Sequence, residues 1–186
     1  METQKSKGEP KPQKKIFDIY AKSVISKKIY LPITTIGSGL KSTLELKVSN
    51  DIEGKCIVEG FVRPNSSKII TYSSGKITEE NFVLFEAVIE CDICYPVEGM
   101  LIECTAKNIT KAGIRAEVND EGSVPVVIFI ARDHHYKDDT FSSISEGSKL
   151  NVRVIGQRFE LNDKFISVIA ELTDPKKPKL VFKNDD

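Results

Sequence analysis

No stretch of the chain approaches the run of about 18 apolar residues that a membrane-spanning helix needs. The opening residues, METQKSKGEPKPQKK, have no apolar centre, so a secretory signal is not expected there. An intracellular setting with reduced thiols is expected instead. Net charge is also missing, because 27 Lys and Arg stand against 27 Asp and Glu. That balance excludes the strongly basic character of a DNA-packaging protein, so any nucleic-acid contact must come from a local patch. No internal repeat is visible. Catalytic equipment is sparse as well. The Gly-Ser-Gly at 37 to 39 is too short to cradle a phosphate and reads as a turn and helix start. No Ser or Cys nucleophile has a plausible neighbour. The one dense polar cluster is His134-His135 with Asp138-Asp139. It has the groups for metal binding or proton transfer, but no third element supports it, and it reads as a solvated loop. A metal-dependent enzyme built on these histidines is the third of three readings carried below.

Four cysteines are present, Cys56, Cys91, Cys94 and Cys104. The CxxC spacing of Cys91 and Cys94 raises the question of zinc. The surrounding text, NFVLFEAVIECDICYP, reads as one long strand, and alternation along a strand sends the two thiols to opposite faces. A structural zinc site wants four ligands, usually from two close pairs, whereas Cys56 and Cys104 stand alone. The cysteines are therefore read as small buried hydrophobes, and no metal or cofactor is expected.

What the chain does have is strand pattern. Hydrophobic residues make up 40 %, enough for a packed core. Residues 1–15 carry five lysines and two prolines and read as a disordered basic tail. The C-terminal tail, 175–186, is similar but holds Leu180, Val181 and Phe182, which are candidates to dock on something. Between the tails, IYAKSVISKKIYLP (19 to 32) reads as a strand closed by Pro32. Leu40, Leu44 and Val48 recur at helical spacing, which predicts a helix from Ser38 to Val48 ended by Asn50, Asp51 and Gly54. KCIVEGFV (55 to 62) reads as one strand, RPNSS as a turn, KIITYS (68 to 73) as a strand, SGKITEEN as a loop, and Phe82 to Tyr95 as a long strand. Pro96 and Gly99 mark a boundary. This assigns 16–96 to a small α+β domain and 97–174 to an all-β one. The latter holds five strand-like runs, at 100 to 109, 113 to 118, 124 to 130, 148 to 158 and 164 to 172, with an excursion before the fourth. That pattern suits a five-stranded OB-fold barrel.

Gly113 breaks the run NITKAGIRAEV. Small barrels need sharp bends, and a glycine supplies one. A side chain at Gly113 would either crowd the neighbouring strand or force an unfavourable backbone angle. Parity then sorts the barrel. Met100, Ile102, Cys104, Ala106, Ile114, Ala116, Val118, Val124, Val126, Ile128, Ile130, Leu150, Val152 and Val154 are expected inside. The outer face is expected to collect Lys107, Arg115, Phe129 and Arg153, with Arg132 and Arg158 near by. An exposed ring among guanidinium groups can stack a base and hold a phosphate. The alternative is that Phe129 packs on the other domain and the cations are ordinary solubilising charges.

Taken in order, these motifs resemble the seventh, stalk-forming subunit of multisubunit DNA-directed RNA polymerases, in its eukaryotic and archaeal forms. The shared features are a strand ending in Leu31-Pro32, the Gly-x-x-Leu helix start at Gly37, Glu-Gly-x-Cys at Glu53 to Cys56, Gly-Phe-Val at 60 to 62, and the runs 82–118, VVIFIAR and LNVRVIGQRFELNDKFISVIAEL. The resemblance covers residues 19 to 174. It implies a tip domain that docks on the polymerase core and an OB domain of the ribosomal-protein-S-one type that touches nascent single-stranded RNA during initiation and elongation. It implies no catalysis. It also implies large polymerase subunits as partners, a fourth-subunit-type stalk partner along one flank, and no membrane. The expected core-docking residues are Leu31, Pro32, Ile36, Gly37, Gly60, Phe61 and Asn65. Two departures stand out. Barrels of this type carry aromatics flanking the corner glycine, where this chain has Ala112 and Arg115, and the loop after Val62 is short. The features suit a version encoded by a large DNA virus, in a virion or cytoplasmic factory, as well as a nuclear cellular one. The second reading is a free-standing OB-fold RNA-binding factor in translation or RNA decay.

Overall fold

The structure is a computed structural model, and it describes residues 18–78, 81–134, 141 and 143–173. The tails expected at 1–15 and 175–186, and His135, Asp138 and Asp139, lie outside the described residues. The N-terminal sheet is built around two long strands, β1 (Tyr20–Pro32) and β6 (Phe82–Cys94). They pair antiparallel along their whole length, from Tyr20 opposite Cys94 to Pro32 opposite Phe82. The other edge of β6 takes three short partners in turn: β3 (Gly60–Val62), β4 (Lys68–Tyr72) and β5 (Lys76–Ile77). β2 (Cys56–Ile57) adds to β3. Alternation puts Ile25, Ile29 and Leu31 of β1 and Val83, Phe85, Ala87, Ile89, Cys91 and Ile93 of β6 on one face. The helix α1 (Leu40–Ile52) covers that face with Leu44, Val48 and Ile52.

Three details differ from the sequence reading. The helix begins at Leu40 and runs on through Ile52. Ile52 continues the Leu44–Val48 stripe and is fully buried, so core packing outweighs the turn preference of Asn50 and Asp51. Gly54, at φ +66°, lies just beyond the helix end. Glu53 then organises the following loop: it accepts hydrogen bonds from the Ser49 and Ser67 hydroxyls and from the backbone N–H groups of Asn65 and Ser67. Second, KCIVEGFV is not one strand but a hairpin, with Cys56 opposite Phe61 and Ile57 opposite Gly60. Gly60 sits at φ +132°, and a Cβ there would lie 2.4 Å from the Cys94 carbonyl oxygen, so both angle and space demand glycine. Third, the expected loop at 74 to 81 contains β5, paired with Leu84 and Val83.

The C-terminal strands β7 (Leu101–Ile109), β8 (Gly113–Asp120), β9 (Ser123–Ala131), β10 (Lys149–Arg158) and β11 (Ile166–Leu172) close into a barrel in the order β7-β8-β9-β11-β10. β11 runs parallel to β9, and the other neighbours are antiparallel. The protein is thus an α+β unit followed by an all-β five-stranded barrel of OB type. Ile102, Cys104, Ala106, Ile114, Ala116, Val118, Val126, Ile128, Ile130, Leu150, Val152 and Val154 fill the interior, joined by Ile166, Val168 and Ala170.

At the first barrel corner the Thr110 hydroxyl bonds back to Gly113, accepting from its N–H and donating to its carbonyl. Gly113 opens β8 opposite Ala131. Its φ is not in the left-handed region. Of the two reasons for glycine, crowding is the one that applies: a Cβ would lie 2.4 Å from the Ile130 carbonyl oxygen and 2.9 Å from Phe129 Cζ. Backbone on one side and a ring on the other leave little room to give. Gly113→Ala is expected to destabilise the protein by about 1–3 kcal/mol, read as a lowered midpoint in thermal or urea unfolding. An unchanged midpoint would show that the strands part at no cost.

Candidate nucleic-acid interface

The outer barrel face follows from register. Arg115 on β8 lies directly opposite Phe129 on β9, and Phe129 lies opposite Ile169 on β11. Phe129 is 41 % exposed, with its ring edge beside Gly113. Ile169 and Ile155 are also exposed, and Ile155 sits at the β10 irregularity next to the residues that pair with Ile169 and Ala170. An apolar strip headed by a ring therefore crosses three neighbouring strands. Sequence parity found Phe129 but missed Ile169. The signal was there: with Ile166, Val168 and Ala170 inward, Ile169 must point out.

The expected cations divide into two groups. Lys107 lies at the β7 bulge, next to Asn108, which pairs with Arg115. The Arg132 backbone N–H donates to the Ala112 carbonyl, and its guanidinium sits 5.5 Å from the centre of the Phe141 ring. Lys107, Arg115, Phe129 and Arg132 thus gather around the corner at 110 to 113, where exposed Lys111 joins them. Arg153 and Arg158 do not. Arg153 pairs with Leu101 and Glu171, with β11 standing between it and β9. Arg158 ends β10, beside the turn that meets the N-terminal domain.

Most of these guanidinium groups are already engaged. Arg115 pairs with Glu117 at 3.0 Å, Arg153 with Glu171 at 3.5 Å and Arg158 with Glu160 at 3.2 Å. Among the described residues, Lys107 and Lys111 have no such acidic partner. The patch is an exposed ring and apolar strip with a thin cationic rim, not a deep positive groove.

The residues expected to face a large partner also divide. Leu31 and Phe61 are 4 % and 1 % exposed, and Gly60 is buried against Cys94. Leu31 is used by the N-terminal core and Phe61 by the cluster shared with the barrel, while Gly60 is held by the close approach of the Cys94 carbonyl. Pro32, Gly37 and Asn65 are exposed and Ile36 is partly covered. Asn65 holds φ +59° in the loop that Glu53 organises. Around Pro32 the surface is apolar. Phe82 lies opposite it in register, and Tyr30, Ile33 and Ile77 are exposed close by in the fold.

The two cysteines of the CxxC face opposite ways, as strand alternation requires. Cys91 belongs to the N-terminal core and Cys94 to the cluster continuous with the barrel interior. Among the described residues, no three His, Cys, Asp or Glu side chains come together as metal ligands would. His134 falls in the short 3₁₀ turn Arg132–His134. No described helix is long and apolar enough to cross a membrane.

No protein-family model matches the chain. It is similar to DNA-directed RNA polymerase II subunit 7 of Arabidopsis thaliana, 30 % identical over 173 residues, spanning 80 % of this chain and 95 % of that protein. A protein of Acanthamoeba polyphaga mimivirus, named provisionally as a DNA-directed RNA polymerase subunit, is 26 % identical over 172 residues, covering 84 % and 83 % of the two chains. The corresponding polymerase II subunit of Glycine max is 26 % identical over 159 residues, covering 76 % and 86 %.

Burial pushes all four thiols up, Cys56 and Cys91 to about 11 and Cys94 and Cys104 to about 12, with nearby acidic groups adding to the rise. The thiolate is the reactive form. The native protein is therefore expected to resist Ellman's reagent at neutral pH and to release its thiols together on unfolding. Fast reaction of the folded protein would contradict this burial.

Proposed function

The chain belongs to the family of DNA-directed RNA polymerase subunit 7, and on that premise we propose that it is a noncatalytic stalk subunit. The tip, residues 16–96, docks on the polymerase core. The barrel, residues 97–174, projects from it and touches emerging single-stranded RNA during initiation and elongation. The observation that carries this reading is the similarity to the Arabidopsis subunit, which runs through almost the whole of that protein and so includes both domains. Docking is assigned to the apolar end of the tip, through Pro32, Ile36 and Gly37 together with Tyr30, Ile33 and Phe82. An exposed apolar patch rimmed by polar groups is the mark of a protein contact. Leu31 supports that surface from beneath, whereas Gly60, Phe61 and the Asn65 loop lie at the other end of β6, beside Cys94 and Asp92. Large polymerase subunits are the partners this requires, and a fourth-subunit-type protein fits along one flank. The site of action is the nucleus for a cellular version, and the virion or a cytoplasmic factory for a viral one.

RNA contact is assigned to Phe129 as the stacking ring, with Lys107, Arg115 and Arg132 around it and Arg153 and Arg158 at the margin. The engaged state of Arg115, Arg153 and Arg158 supports weak binding.

Two experiments test the proposal. Native purification of the tagged chain from its own source should bring down large polymerase subunits. Recovery with ribosomes or a nuclease complex, without polymerase, would favour the free-standing RNA-binding factor. For RNA, Phe129→Ala is expected to weaken binding of a short single strand about fivefold, since stacking is worth about 1 kcal/mol or more per base. Arg115→Ala should cost less, because Glu117 already holds that charge. The log–log salt slope should stay shallow, about −1 to −2, at about −0.7 for each phosphate neutralised. Unchanged affinity in both variants would assign the face to structure alone.

A further inference from the structure

Two barrel loops hold the tip. One is the β8–β9 turn, where Glu121 and Gly122 adopt φ +41° and +91°. Arg63, the residue after β3, reaches it as a fork: Nε lies 2.8 Å from Asp120 Oδ2 and Nη2 3.0 Å from Oδ1. Nη2 also lies 3.4 Å from Glu121, and Nη1 4.0 Å from Asp92 on β6. The guanidinium stands 5.1 Å from the centre of the Tyr20 ring on β1. The Arg63 backbone N–H donates to the Asp92 carbonyl. One side chain thus touches the tip's two long strands and the barrel hairpin at once. The second loop is the β10–β11 turn. The Cys56 N–H donates to the Asp163 carbonyl at 2.8 Å, and the Asn162 N–H donates back to the Cys56 carbonyl at 2.9 Å. Between these contacts, Cys56, Phe61 and Cys94 of the tip join the buried cluster of the barrel interior.

Domains joined by one chain segment and a modest interface swing by default. A single contact leaves a pivot, whereas contacts to two separate loops of one rigid barrel remove it. We propose that Arg63 is the strut of this joint: its fork on Asp120 fixes the direction in which the barrel leaves the tip, with the Cys56–Asp163 backbone pair as the second anchor. Arginine suits the place and lysine does not, because the position requires a planar two-point match to a carboxylate and a flat face toward a ring. Asp120 and Asp92 are mostly covered, so salt screens the contact only in part. The strut stands on geometry alone. Its consequence, a barrel held at a set angle to whatever the tip docks on, rests on the stalk reading.

The test is pulsed electron–electron resonance on the full chain, with spin labels at Ser74→Cys on the tip and Lys111→Cys at the far corner of the barrel. The otherwise native chain should give one narrow distance peak that persists in about 0.5 M salt. Arg63→Ala, Arg63→Lys and Asp120→Asn should each widen it roughly twofold. The Arg63→Ala/Asp120→Asn pair should widen it no further than Arg63→Ala alone, since the contact that Asp120→Asn weakens is already gone when the arginine is removed. A broad peak in the otherwise native chain would overturn the rigid joint. A peak as narrow in Arg63→Ala as in the parent would overturn the strut. If Arg63→Ala does not fold, the near-isosteric Asp120→Asn decides: a wider peak supports the strut and an unchanged one rejects it.

Discussion

Phe61 pairs in register with Cys56 on one side and Cys94 on the other, and all three lie in the same buried cluster as the barrel interior. The rest of the structure depends on this contact. An OB barrel has an open end, and here the tip closes it with a ring and two thiols. Burying the ring alone contributes roughly 2–3 kcal/mol. The strand that carries Cys94 also carries the tip core, because its alternate face holds Val83 to Ile93. β6 therefore belongs to both cores at once. Gly60 makes the approach possible, since any side chain there would strike the Cys94 carbonyl. The CxxC motif is explained by the same strand, as one thiol for each core.

The exposed row on the barrel is a consequence of parity. Once the interior takes every second residue, Arg115, Phe129 and Ile169 are left outside in one row. Gly113 clears space for the Ile130 carbonyl and for the edge of the Phe129 ring. Ring exposure and corner geometry are thus coupled. Glu117 moderates the charge of Arg115 in this row, and Glu171 and Glu160 do the same for Arg153 and Arg158 elsewhere on the barrel, in keeping with the chain's overall neutrality.

Much of this was legible in the residues, because strands write their parity into the chain. The five barrel runs, most of the inward residues of the first four and the long β1 and β6 were readable from alternation and turn residues alone, although Met100 and Val124, expected inside, are only partly buried. The helix end was misjudged because Ile52 is held by tertiary packing, which outweighs the local preference of Asn50 and Asp51. The Cys56–Val62 hairpin was missed because Gly60 is required by a strand more than thirty residues away. Leu31 and Phe61 looked like docking residues because motif order does not say which face a side chain takes. Arg63 escaped notice for the same kind of reason: its partner Asp120 is 57 positions on, and an isolated Arg-Pro before a turn carries no sign of it.

The shared core makes the tip and barrel one thermodynamic unit. The most direct measurement is equilibrium urea unfolding of the full chain, followed at once by a tip probe and a barrel probe. Tryptophans introduced at Tyr30 and Phe129 would serve, since the native chain has none. Coincident transitions with a common midpoint and slope are expected. Two separated transitions, with the barrel persisting after the tip has melted, would contradict a barrel that relies on Phe61 and Cys94 to close its end.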